Sequence, residues 1–99
     1  MPDDRLRKTV ELMHGGKATF VQFVPVRETF GGDTVWEGAV HVFDLVGHPT
    51  ATRAYAWSSP IEGSTKRRYF AMLHLPPVDS PRTAVRLAIA AQQQAGRLR

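Results

Sequence analysis

The connections between the β-rich segments of this sequence are short, no longer than about seven residues, and they constrain the fold more than any other feature. The segments lie at 17–27, 35–46, 50–58 and 66–75. Neighbouring parallel strands need a crossover of about a dozen residues or more, whereas antiparallel strands can be joined by a tight turn. The spacing therefore predicts a four-stranded, mainly antiparallel sheet. Pro25 cannot donate a ladder hydrogen bond, which indicates that the first strand is an edge strand or contains a bulge.

A helix is predicted before the first strand, over residues 3–14. Leu6, Val10 and Met13 recur at helical spacing and form a narrow apolar stripe. The Gly15-Gly16 pair that follows is a typical stop signal, because glycine readily adopts the left-handed conformation that ends a helix.

A second helix is predicted after the last strand, over residues 80–95. Ser80 suits the position that caps a helix, and Pro81 suits the first helical turn. One face of this helix carries only alanine: Ala84, Ala88, Ala91 and Ala95. The sequence thus predicts a single α+β domain over residues 1–99, with the order α-β-β-β-β-α.

The turn lengths predict a register in which Leu45 lies opposite Ala51 and Ser58 lies opposite Lys66. With this register, one face of the sheet is apolar and carries several small residues: Trp36, Gly38, Val40, Val42, Ala54, Ala56, Phe70 and Met72. Small residues let a helix approach closely. We therefore expect this face to form the core, with the alanine face of the second helix packed on it.

The opposite face of the sheet is predicted to carry aromatic and arginine side chains. The candidate interface or ligand-binding residues on it are His41, Phe43, Arg53, Tyr55, Trp57 and Tyr69. Tyr, Trp and Arg are enriched at protein interfaces, and flat rings also stack on nucleotide bases. Three interpretations stay open: burial under the first helix and first strand, self-association, and ligand binding by stacking.

Charge is distributed unevenly along the chain, which has a formal net charge of +4. Residues 1–50 hold five basic and seven acidic side chains, whereas residues 51–99 hold eight basic and two acidic ones. The candidate anion-binding residues are Lys66, Arg67 and Arg68 at the start of the fourth strand, and Arg82, Arg86 and Arg97 on the last helix. Such a basic half attracts nucleic acid, phosphate ligands or acidic proteins, although a solvated surface has the same composition.

Several kinds of chemistry have no support in the sequence. The chain contains no Cys, which excludes disulfides, cysteine-ligated zinc and a thiol nucleophile. The four histidines do not follow a metal-binding spacing, and Gly-x-Ser-x-Gly is absent. No catalytic residue, cofactor or metal ligand is therefore predicted, and an enzyme built around Glu37, His41 and Tyr55 is the weakest alternative.

The predicted function is that of a non-catalytic binding domain, most simply a homodimer joined through the aromatic face. The alternative is binding of nucleic acid, an anionic ligand or an acidic protein through the basic half. No run approaches the roughly 18 apolar residues of a membrane span, and the polar first residues do not resemble a signal peptide. We therefore expect a cytoplasmic protein without membrane contact.

Overall fold

The computed structural model describes residues 4–61 and 63–97, with side chains through Gln92. Its helices and strands are α1 (Asp4–His14), β1 (Lys17–Phe30), β2 (Asp33–Val46), β3 (Arg53–Pro60), β4 (Arg67–Leu73) and α2 (Pro81–Arg97). The strands form one sheet in the order β1-β2-β3-β4, and every neighbouring pair is antiparallel. The predicted α-β-β-β-β-α fold is confirmed. Residue 3, where the first helix was predicted to begin, lies outside the described residues.

The two strands of the β1–β2 hairpin extend closer to the turn between them than the sequence predicts. Gly31 and Gly32 both have positive φ, at 61° and 88°, and such a two-residue turn matches the twist of a hairpin. Both strands therefore continue to the turn, up to Phe30 and from Asp33. Because β2 pairs with β3 only from His41 to Asp44, the outer part of the hairpin has no strand beyond β2.

Each face of the sheet is covered by one helix. On the α1 face, Leu6 and Val10 of α1 pack against the sheet residues Ala18, Phe43, Leu45, Ala54, Ala56 and Ala71. On the α2 face, Ala84 and Val85 of α2 pack against Val26, Val40, Val42, Tyr55 and Trp57. The small side chains of β3 therefore face α1, and its large aromatic side chains face α2.

The predicted register of β3 is wrong by an odd number of residues, both in its pairing with β2 and in its pairing with β4. His41 lies opposite Ala56, where the prediction paired it with Tyr55, and Ser58 lies opposite Tyr69, where the prediction paired it with Lys66. Side chains alternate along a strand, so an odd shift moves every residue of β3 to the other face. The two odd shifts cancel for β4, whose residues keep their predicted faces.

The turn between β2 and β3 explains this shift. His48 accepts hydrogen bonds at Nδ1 from the backbone N–H of Thr50, at 3.1 Å, and of Ala51, at 2.9 Å. These contacts keep residues 48–51 in a turn, and β3 begins at Arg53. The sequence prediction had started the strand at residue 50, because the side chain of His48 gave no signal of this role.

The predicted packing of both helices also needs correction. On α2, Ala84 is fully buried and Ala88 is partly buried, whereas Ala91 is exposed and the side chain of Ala95 lies outside the described residues. The helix therefore contacts the sheet through only part of its alanine face. On α1, Met13 is 58% exposed and does not extend the predicted apolar stripe.

Candidate functional site

The predicted aromatic face is divided between the two faces of the sheet. By the observed register, one half of the candidate residues lies on the α1 face: His41, Phe43 and Tyr69. The other half lies on the α2 face: Arg53, Tyr55 and Trp57. No row of polar aromatic side chains crosses the sheet, and the prediction that these six residues share a surface is wrong.

Both large aromatic residues of β3 are in the core. Trp57 is 2% exposed, and its ring stacks on that of Phe70 with centroids 5.3 Å apart. Tyr55 is 3% exposed. Phe43, on the other face, is fully buried against α1. These three side chains are therefore not available for binding at the surface.

Tyr55 is connected to the segment that leads into α2. Its hydroxyl lies 2.6 Å from Nδ1 of His74, which follows β4. Burial raises the pKa of the Tyr55 hydroxyl, Arg53 partly offsets this increase, and Asp79 adds to it. A hydrogen bond from Thr83 is the main cause of a lowered pKa of the Asp79 carboxyl. These contacts fix the entry of α2.

The residues of the enzyme alternative do not come together. Tyr55 is on the α2 face, whereas His41 is on the α1 face, and Glu37 is exposed farther along the hairpin. Among residues 4–61 and 63–97, no group of three His, Asp or Glu side chains is placed to hold a metal ion.

Two arginines of α2, Arg82 and Arg86, form ion pairs with a carboxylate of β1. Glu28 of β1 is 7% exposed, and its Oε1 accepts hydrogen bonds from Nη1 of Arg82 at 3.1 Å and from Nε of Arg86 at 2.9 Å. Arg82 also donates to the carbonyl oxygen of Arg27. These two arginines therefore attach α2 to the hairpin, and the side chain of Arg97 lies outside the described residues.

The three basic residues at the start of β4 separate onto the two faces. Arg68 lies on the α2 face, in a recess that it shares with Phe70 and Gln92. Lys66 and Arg67 lie on the other side, near the first turn of α1. Neither of these two forms an ion pair with any described residue, and both are exposed.

A basic groove is formed where β4 and the preceding loop meet α1. Its lining consists of Arg5, Thr65, Lys66, Arg67 and Tyr69, and its volume is about 440 Å³. The lining thus contains three cationic side chains and two hydroxyls. None of the described lining residues is acidic. Converging cations form a surface suited to an anion.

Hydrogen bonds orient two of the cations in the basic groove. Nη1 of Arg5 donates to the hydroxyl oxygen of Tyr69 at 3.1 Å. Arg67 donates from Nε to Oγ of Ser58 at 2.8 Å and from Nη2 to the carbonyl oxygen of Ser58 at 3.2 Å. A guanidinium has five N–H donors, so Arg67 keeps donors for a ligand after these two contacts.

The sequence prediction included Lys66 and Arg67 as anion-binding residues and Tyr69 as a residue of the aromatic face. It missed Arg5, which it treated only as a residue of the first helix. Arg5 and Tyr69 are separated by 64 positions in the chain, and no local pattern relates them. Only the packing of α1 on β4 brings them together.

A second exposed surface lies on the α1 face of the hairpin and is formed by Phe20, Phe23, Pro25, Ala39 and His41, here called the hairpin patch. Phe23 is 52% exposed, and its ring lies 4.7 Å from that of Phe20 and 4.6 Å from that of His41. Pro25 and Ala39 pair across the two strands and are both exposed. The patch is apolar and held in shape by its ring contacts.

Comparison of this chain with protein-family models, with curated proteins and with solved structures finds no match. Within the described parts of the chain, neither helix has the length and apolar character needed to cross a membrane.

Proposed function

We propose that this chain is a non-catalytic binding domain that takes an anionic ligand in the basic groove. The convergence of Arg5 from α1 with Lys66 and Arg67 at the start of β4 carries the proposal. These cations come from parts of the chain about 60 residues apart, and neither Lys66 nor Arg67 forms an ion pair with a described residue. Four other arginines of the described chain, Arg7, Arg53, Arg82 and Arg86, form ion pairs with carboxylates of the same chain.

The chemistry of the groove supports a ligand with several acceptor oxygens. Hydrogen bonds between charged groups contribute about 1.5–3 kcal/mol each, more than those between neutral groups. Arg67 is held by Ser58 before a ligand arrives, which lowers the entropy that binding would otherwise cost. The groove is open to water, so its electrostatic attraction weakens as salt increases.

The test is a binding titration with heparin, a sulfated polyanion, at low and high salt. We expect binding that weakens steeply between about 50 and 200 mM salt, because bound cations release counterions from a polyanion. Lys66→Ala combined with Arg67→Ala should reduce the affinity at least about tenfold. Absence of binding at low salt would contradict the proposal.

Arg68→Ala is the matched control for this titration. It removes one positive charge from the same strand, but on the α2 face and outside the basic groove. We expect an affinity within about twofold of the parent protein. If Arg68→Ala weakens binding as much as Arg67→Ala, net charge and not the groove determines the interaction.

The hairpin patch favours self-association as a second candidate function. Phe23 is exposed although it is aromatic and packed against two other rings, a combination found at protein interfaces. A second copy is the proposed occupant, because a two-fold axis would bring the same patch of both copies face to face. Burial of one patch against the other would remove its apolar surface from water.

Light scattering over the micromolar range tests self-association. Ala39→Glu places a charge in the hairpin patch without removing a packed ring, and we expect it to convert dimers to monomers. Leu12→Glu is the control, since Leu12 is 87% exposed on α1, outside the patch. A parent protein that is monomeric throughout would contradict this candidate.

A further inference from the structure

We infer that the ligand of the basic groove is a compact phosphomonoester and not the backbone of a nucleic acid. This inference rests on the proposed function, because it names the ligand class of the same groove. It follows from where the cations of the described chain are placed and from the number of donors that meet in one cavity.

No other cation with a described side chain lines the basic groove. Four arginines form ion pairs within the described chain: Arg7, Arg53, Arg82 and Arg86. Arg68 is on the opposite face of the sheet, and Arg27 donates to Thr34 near the hairpin turn. Lys8 lies one helical turn after Arg5 but does not line the groove. A protein that contacts about 6–10 phosphates of a nucleic-acid backbone needs a row of cations.

The charge of the groove matches a phosphomonoester. A phosphate monoester carries a charge of about −1.5 to −2 at neutral pH and three acceptor oxygens. A phosphodiester, the unit of a nucleic-acid backbone, has one negative charge and two unesterified oxygens. Lys66 and Arg67, which form no ion pair with a described residue, therefore interact more strongly with the monoester than with each diester.

The hydroxyl of Tyr69 adds a directed donor. Its oxygen accepts the hydrogen bond from Arg5, so its own proton can be donated to a ligand in the groove. Lys66 and Arg67 can donate to the other phosphate oxygens, and Thr65 supplies a second hydroxyl at the rim. Each of the three terminal oxygens can thus receive a donor from a different residue.

The experiment compares four probes by NMR titration of the backbone amides at low salt: inorganic phosphate, phenyl phosphate, diphenyl phosphate and a single-stranded oligonucleotide of about twelve nucleotides. We expect phosphate and phenyl phosphate to shift the amides of residues 65–69, with diphenyl phosphate at least about tenfold weaker. Lys66→Ala with Arg67→Ala should abolish the shifts, and Arg68→Ala should preserve them.

The outcomes separate the ligand class from the proposed function. If the oligonucleotide binds through the groove and phenyl phosphate does not, the inference is wrong and anion binding stands. If diphenyl phosphate binds as well as phenyl phosphate, the preference for a monoester is wrong. If no probe binds, or binding persists in the double variant, both the inference and the proposed function are overturned.

Discussion

The two faces of the sheet are each covered by one helix, but they use their side chains differently. The α2 face carries Tyr55 and Trp57 in its core, and Glu28 draws two arginines of α2 onto the hairpin. The α1 face packs alanines against α1 and leaves the basic groove and the hairpin patch exposed. The α2 face therefore uses its buried aromatic residues and its paired cations for stability, and the basic groove and the hairpin patch both lie on the α1 face.

The largest expected loss of stability comes from replacing a buried aromatic residue of the α2 face, as in Trp57→Ala. Trp57 is 2% exposed and stacks on Phe70, so its removal leaves a cavity under α2. Such a change costs about 3–5 kcal/mol of the free energy of unfolding. Urea denaturation followed by circular dichroism measures this loss. A cost below about 1 kcal/mol would place Trp57 at a surface, as the predicted register did.

Enlarging a side chain of α2 that packs against the sheet should have an intermediate effect on stability. Ala84 is fully buried, and Ala84→Leu should cost about 1–3 kcal/mol of stability through overpacking. Ala90 is exposed on the same helix, and Ala90→Leu should change the denaturation midpoint little. The two variants have the same helix propensity, so their difference reports packing. Equal midpoints would contradict docking of α2 through Ala84.

The fold could be predicted from the sequence because its signals are local. Gly31-Gly32 marks one turn, and Ser80 with Pro81 marks the start of α2, each within a few residues. The register of β3 could not be predicted in this way. It depends on His48, whose imidazole replaces strand hydrogen bonds over the next residues. Because His48 holds this turn, Tyr55 and Trp57 lie on the α2 face and not on the face that the sequence predicts.

The candidate site could be predicted only in part, for a related reason. Lys66 and Arg67 stand out as a charge cluster, but the sequence cannot show that Arg68 leaves the cluster for the other face until the register is known. Arg82 resembles a solvated helix residue because its partner, Glu28, is 54 positions away. Contacts between residues that are far apart in the chain determine which arginines form ion pairs.

The smallest expected effect is a dependence of the folding stability on pH, and it is confined to alkaline solution. Burial raises the pKa of Tyr55 in the folded state, so the folded protein holds this proton more tightly than the unfolded chain. The resulting stabilisation is complete below the unfolded pKa of about 10 and is lost as the pH rises through the folded value. Tyr55→Phe should therefore lose less stability than the parent between about pH 8 and pH 11 in urea denaturation. Equal losses would show that Tyr55 does not contribute.

The short ladder between β2 and β3 has a consequence for local opening of the molecule. β2 pairs with β3 only from His41 to Asp44, whereas it pairs with β1 along almost its whole length. The outer hairpin is therefore joined to the rest of the chain mainly through α2 and the Glu28 contacts. Amide protons exchange with solvent in cooperative units. We expect those of α2 and of the outer hairpin to exchange together, and before those of the strands that lie beneath α1.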